Sequence, residues 1–459
     1  MAARNGGRLG LAALIAIVAL GLGLRLGYAI EGREYQPPDA RVYAQIAANL
    51  DERGDFSARG PDVPPIHQPT SAYSPGLPLF LAAVYTLVGG EDVRLARILL
   101  ALLGSASVAL TYLLGRRLAG PAAGLVGAGA VAVYPALLEY QGLLLTEPLA
   151  AFLLVAGVLA FLRAEDEQRI RWWVAAGGLL GALSLVRAEY LAVALLLPLL
   201  GLVRRRRRGL RAAATPAMVM LAATAVVVAP WTIRNAVELD RFVPVSTGGG
   251  KALYIGTYLD ADGDGPKLRD LLLARQPRLR ERLARAGPPD DPNRFVLELL
   301  IARQARRAHP GLETDEALGR LGRRNLGDAV TERPGDLIAL LADKAYDTWT
   351  EPARSVMDLA PWRVLQLGLL VLALVGLATL TAQRRFEALT LGSILLYVTA
   401  VAALLIASPR RALVPLPLVA ALAGAGLAWL ALRLRRRSVR GSALGAWQPR
   451  PRDPSAGRR

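Results

Sequence analysis

The amino-acid sequence predicts an all-α polytopic membrane protein, a bundle of about ten transmembrane helices. Three observations predict it. Of 459 residues, 53% are hydrophobic and the mean hydropathy is +0.35, too apolar for an ordinary soluble chain. The apolar residues are gathered into long Leu/Ala/Val-rich runs without period-two alternation. Crossing about 30 Å of hydrocarbon takes about 20 such residues as a helix, whereas the strands of a closed barrel alternate. The basic residues flank these runs: the formal net charge is +18, but Arg204 to Arg208 and Arg433 to Arg437 stand at run ends. Topology therefore explains the charge better than nucleic acid does.

The first run, Leu9 to Ile30, is too long for a signal h-region and lacks a convincing small-residue cleavage site, so it reads as a retained anchor. Arg4 and Arg8 before it place the N-terminus inside. Further runs lie near 93–115, 121–138, 148–162, 172–187, 190–203, 212–231, 361–382, 387–407 and 412–432. Alternation across them puts Arg116/Arg117, Arg163 to Arg171, Arg204 to Arg211, Arg384/Arg385 and Arg433 to Arg440 all in the cytoplasm. Pro75 to Gly89 is apolar but short, and a crossing there would move every later basic loop outside. It is expected as a re-entrant or interfacial helix in the first outer loop.

The expected division is then a transmembrane module over 1–231, with its first outer loop at 31–92, and an extracytoplasmic lobe over 232–360. C-terminal transmembrane helices over 361–433 and a disordered cytoplasmic tail over 434–459, rich in Arg, Pro, Gly and Ser, complete it. The lobe has a charged middle and amphipathic helical patterning near 294–309 and 314–349. With no cysteine, disulfide and thiol chemistry are excluded. Lys occurs only at 251, 267 and 344 against many Arg, a bias that suggests a GC-rich bacterial genome.

Ionisable residues gather at the outer ends of the runs: Asp39, Arg94, Arg97, Glu139, Glu147, Arg187, Glu189, Arg234, Arg410 and Arg411. Charges at membrane depth are costly, so they pair or line a functional cavity, and a cavity opening outward is the economical reading. Asp39, just after the first run, reads either as an N-cap of a helix from Ala40 or as a functional carboxylate fixed by capping. Glu147, before Pro148, suits a helix first turn and equally a site. Arg234, after an expected interfacial Trp231, and Arg410/Arg411, between the last two runs, have no positive-inside role; arginine forks suit phosphate. His67 reads as loop surface. Asp260-Ala261-Asp262-Gly263-Asp264-Gly265 imitates a calcium loop, but Leu271 stands where the twelfth-position Glu belongs, leaving an acidic turn.

Taken in order, several short motifs resemble the GT-C membrane glycosyltransferases, in the branch related to dolichyl-phosphate-mannose–protein mannosyltransferases and lipid A aminoarabinose transferases. They are Asp39-x-x-x-Tyr43 with Ala47-Ala48-Asn49-Leu50, Ser74-Pro75-Gly76-Leu77-Pro78-Leu79, Gly115-Arg116-Arg117-Leu118 and Leu145-Thr146-Glu147-Pro148. Pro230-Trp231-Thr232-Ile233-Arg234-Asn235, Phe242-Val243-Pro244-Val245-Ser246-Thr247 and Pro409-Arg410-Arg411-Ala412-Leu413-Val414-Pro415 follow.

The resemblance implies inverting transfer of a sugar from a polyprenyl-phosphate donor to a hydroxyl acceptor (protein, lipid or cell-envelope glycan). The expected setting is the outer face of the inner membrane, with no nucleic-acid partner. It implies Asp39 as general base, with Tyr43, Glu147, Arg234, Arg410 and Arg411 as substrate ligands. Glu147 departs from an Asp often found near that point. No close His/carboxylate cluster stands out, so no metal ligand is assigned, and a divalent metal stays open as a cofactor. The rival class is a transporter or flippase of lipid-linked sugars; against it, the polar groups sit at one face rather than near the midplane, and no internal repeat is visible.

Overall fold

The computed structural model describes residues 2–32, 36–57, 69–286, 292–383 and 385–445, and no strand occurs among them. Helix α1 (Ala2–Glu31) is followed by two short helices, α2 (Pro38–Arg53) and α3 (Gly76–Val88). Both begin beside proline, which fits a first turn, and both end on a left-handed glycine, Gly54 and Gly89. At 13 residues α3 rises about 20 Å, short of the hydrocarbon thickness.

The bundle continues through α4 (Val93–Ala119), α5 (Pro121–Val133), α6 (Pro135–Glu139), α7 (Glu147–Glu167), α8 (Ile170–Val186), α9 (Leu191–Arg205) and α10 (Leu210–Leu239). Five helices follow: α11 (Gly249–Gly256), α12 (Gly265–Ala274), α13 (Pro277–Ala286), α14 (Pro292–Ala308) and α15 (Thr314–Glu332). After α16 (Pro334–Thr350), α17 (Ala360–Ala382), α18 (Phe386–Leu404), the one-turn α19 (Arg410–Leu413) and α20 (Leu416–Gly445) close the chain. Among the described residues seven helices are long and apolar enough to cross a membrane, eight if the bent pair α5 and α6 is one span. The shorter α8 is apolar too.

One continuous core joins the bundle. Small residues let its backbones touch, as membrane helix packing favours. A Cβ on Gly376 of α17 would lie 2.1 Å from the Leu422 carbonyl, and one on Gly426 of α20 would lie 2.1 Å from that of Leu372. A separate core, with Tyr254, Ile255, Leu268, Leu300 and Leu318, is built by α11, α12, α14 and α15. The long amphipathic stretch 314–349 is two helices, because the residue before Pro334 is pushed out of helical geometry. The acidic segment after Leu259 is a turn that caps α12 through Asp264.

Two boundaries and one side-chain placement differ from expectation. Helix α10 passes residue 231 and ends at Leu239, where Asp240 takes a left-handed conformation. Helix α20 runs to Gly445, into the segment expected as tail; residues 446–459 lie outside the described residues, as does His67. Trp231, expected in an interfacial belt, is buried: its indole donates to the Val245 carbonyl at 2.8 Å and its ring meets Phe56 edge-on.

A buried arginine within α1 shapes the broken span. Arg25 is 1% exposed and donates to the carbonyls of Val131 at 2.8 Å, Ala132 at 3.1 Å and Gly21 at 3.1 Å. Pro135 has no N–H to return to Val131, and the chain turns by 53° at this break. Arg25 thus satisfies carbonyls that the break frees, and that bonding offsets the cost of a charge at this depth.

Candidate active site

Helix α2 starts at Pro38 with Pro37 as its N-cap, and no side chain caps it. Asp39 therefore sits inside the first turn instead of serving as the N-cap. Its carboxylate accepts from Arg410 Nη1 at 3.2 Å. Tyr43 lies one turn further along the same face. Its hydroxyl is pushed well above the usual tyrosine range by burial and by the Asp39 carboxylate.

Glu147 opens α7, with Pro148 in the first turn. Its side chain is 0% exposed. Oε1 accepts from Arg410 Nε at 2.9 Å and from Arg187 Nη1 at 3.5 Å, while Oε2 has no hydrogen-bond partner among the described residues. Arg410 is thereby bonded at once to Asp39 and Glu147, residues far apart in sequence. The Glu147 carboxylate holds the Arg410 guanidinium above its ordinary range against the opposing effect of burial.

Further ionic partners ring this bridge. Arg187 donates through Nε to Glu189 at 3.0 Å. Burial acts to lower Arg187, but Glu189 and Glu147 outweigh it and keep the guanidinium charged. Arg354 binds Glu139 at 2.7 Å, and the guanidinium groups of Arg354 and Arg410 lie 5.8 and 5.7 Å from the Tyr140 ring centroid. The broken span delivers Glu139 and Tyr140 to this place. Arg411 stands beside Glu189, Tyr190 and Tyr397 at the edge of the cluster; burial lowers its pKa, with Glu189 opposing.

The structure thus brings Asp39, Tyr43, Glu147 and Arg410 together, with Arg411 alongside. Arg234 lies elsewhere. It donates to the carbonyls of Thr70 at 3.0 Å and Phe56 at 3.3 Å, stacks on Phe56 and Trp231, and borders a separate cavity of about 260 Å³. Arg187 and Glu189 were visible in the sequence as outer-end charges without an assigned role. Arg354, Glu139 and Tyr140 carried no signal that joined them. The carboxylates here face guanidinium groups, and among the described residues no group of three or more His, Cys, Asp or Glu is placed to hold a metal. Among the described residues this donor set does not fit a metal ion.

Comparison with known proteins follows the same lines. Residues 70–233 match the family model of dolichyl-phosphate-mannose-protein mannosyltransferase. The apo oligosaccharyltransferase of Archaeoglobus fulgidus superposes with a TM-score of 0.56 at 16% identity, over 96% of this chain and 52% of that one. The oligosaccharyltransferase AglB of the same organism, in complex with an inhibitory peptide and a dolichol-phosphate, gives 0.54, 16%, 96% and 52%.

The chain has the GT-C fold.

ArnT from Cupriavidus metallidurans bound to undecaprenyl phosphate, 16% identical over 90% of this chain and 77% of that one, has a TM-score of 0.40, too low to argue from. No curated protein sequence matches. The chain spans about half the length of the archaeal oligosaccharyltransferase it matches. Within the GT-C fold, the segment matched by the family model contains Glu147, Arg187 and Glu189, whereas Asp39 and Arg410 flank it on either side.

Proposed function

We propose that this chain is an inverting glycosyltransferase, moving a sugar from a polyprenyl-phosphate donor to a hydroxyl acceptor at the extracytoplasmic face of the plasma membrane. The observation that carries the reading is the bridge of Arg410 to both Asp39 and Glu147. The reaction needs a base beside the acceptor and positive charge beside the departing phosphate. The acceptor oxygen attacks the anomeric carbon, the bond from that carbon to the phosphate oxygen breaks, and the electron pair leaves on the phosphate. The acceptor proton goes to Asp39. Arg410, anchored through Nε on Glu147, presents its remaining donors to the phosphate, with Arg411 alongside and Tyr43 beside Asp39 as a substrate ligand.

A carboxylate held by a guanidinium is a weaker base than a released one. Donor phosphate competing for Arg410 would loosen Asp39 when the acceptor must be deprotonated. Arg234, bonded into the first loop, is left out of this reading. The test is Asp39→Asn, which keeps the shape but cannot take the proton. The expected variant is folded, binds donor and loses transfer by about two to four orders of magnitude. Near-normal turnover would move the base to Glu147 or Glu139.

A further inference from the structure

A second groove in the molecule has no part in the proposed transfer. This groove, of about 640 Å³, opens between α17 and α18, within the usual size range of ligand sites. It lies at the opposite end of the bundle from Asp39. Glu147 and Glu165 stand at the two ends of α7, about 27 Å apart by helical rise, and the groove belongs to the Glu165 end. There Arg204 Nε is 3.9 Å from Glu165 Oε2.

The groove wall is apolar: Leu377 from α17, and Leu389 and Leu396 from α18. Leu389 and Leu396 are 52% and 71% exposed, so the wall opens sideways to what surrounds the helices. The basic end is different. Arg204 lies 4.2 Å over the Phe386 ring, and its polar contact among the described residues is the long ion pair to Glu165 at 3.9 Å. Arg385, by contrast, is bonded to the carbonyls of Leu118 and Arg117 and to Glu387. Thr381 and Ser393 also line the groove, each with its hydroxyl proton committed to a backbone carbonyl. Their oxygens are left as acceptors.

An apolar trough, a guanidinium held by a 3.9 Å ion pair to Glu165 and by the Phe386 ring, and two hydroxyl acceptors select a ligand with a hydrocarbon chain, a phosphate and headgroup hydroxyls. We infer that this groove binds an anionic glycerophospholipid with a hydroxylated headgroup. The acyl chain lies along Leu377, Leu389 and Leu396, and the phosphate rests on Arg204. Basic pockets between membrane helices take lipid headgroups in this way. A zwitterionic choline lipid brings a phosphate but no headgroup donor, and a free phosphate makes no use of the apolar wall.

The test uses the full chain in detergent, stripped of lipid and titrated with phosphatidylglycerol, phosphatidylcholine, undecaprenyl phosphate or inorganic phosphate. Bound molecules are counted by native mass spectrometry. The expected result is phosphatidylglycerol binding at least tenfold tighter than phosphatidylcholine. Arg204→Gln should weaken phosphatidylglycerol about tenfold, since a charged hydrogen bond contributes about that factor. Gly392→Trp places a ring in the groove, where a Cβ would already sit 3.5 Å from Leu377, and should displace one phosphatidylglycerol with Arg204 intact. Arg204 is partly exposed, so its variant stays folded and informative if the tryptophan variant does not. Equal binding of the two glycerophospholipids, or phosphatidylglycerol binding that survives Arg204→Gln, would overturn the assignment. Undecaprenyl phosphate is expected at the Arg410 site and should be unaffected by Arg204→Gln; its loss in that variant, or a preference for inorganic phosphate over phosphatidylglycerol, would overturn the assignment as well.

Discussion

Arg410 gathers two carboxylates onto one guanidinium, and Glu147 depends on it. A fully buried carboxylate without its cation would cost about 3–5 kcal/mol, so Glu147, Arg410 and Arg187 stand or fall together. Lys344 is a different kind of buried charge. It is 3% exposed and donates to the Gly256 carbonyl at 2.8 Å. Burial, with Arg411 nearby, pushes its ammonium down to about 8 from 10.5. Between those pH values the unfolded chain binds more protons at this site than the folded chain, so Lys344 makes stability rise with pH across that window. Thermal unfolding from pH 7 to 10.5 should show the wild-type Tm climbing relative to Lys344→Met; parallel profiles would mean that Lys344 titrates normally. Asp39, Glu147 and Arg410 could be picked from the sequence as ionisable residues at the ends of apolar runs; Asp39 and Glu147 each had a helix-terminus explanation as well, and the family resemblance favoured the site. Arg354 could not, because it lies in a polar stretch where an arginine is ordinary, and only the fold sets it against Glu139.

At the scale of elements, the motif after Pro230 acts as a clasp. Asn235 is fully buried and donates to the carbonyls of Val243 at 3.0 Å and Val245 at 3.2 Å, while Thr232 reaches Pro244 at 2.8 Å. The strap so held continues to Thr247, whose N–H donates to Ser71 at 2.7 Å, and to Ser246, whose hydroxyl meets that of Ser74 at 3.1 Å. Two motifs that carried the family resemblance in the sequence thus tie the end of α10 to the first loop. Asn235→Ala should destabilise the protein by about 1–3 kcal/mol, because it leaves buried carbonyls unpaired. Denaturation of the variant with unchanged stability would sink the clasp. Hydrophobic runs made the long helices legible. The break at Pro135 and its satisfaction by Arg25 were not, since the proline and the arginine that answers it are distant in sequence.

At the scale of the whole molecule, basic loops and charged cluster occupy opposite ends of the bundle. Glu387 receives Arg117 and Arg385 at one end, and Glu147 receives Arg410 and Arg187 at the other. The ten crossings with both termini cytoplasmic that the sequence predicts, against seven or eight helices long and apolar enough to cross among the described residues, require that a single cysteine at Arg280 label from outside and one at Gly445 from inside. Reversed labelling would refute that arrangement. The central claim is transfer from a lipid phosphate, and it is tested most directly by incubating the purified protein with a panel of polyprenyl-phosphate sugars and acceptor hydroxyls. Mass analysis then follows the released lipid phosphate and the glycosylated product. At least one donor should yield both in equal amounts, with Asp39→Asn yielding neither above background. Donors that stay intact across the panel, or cross a vesicle membrane without losing their sugar, would contradict the account and favour a transporter.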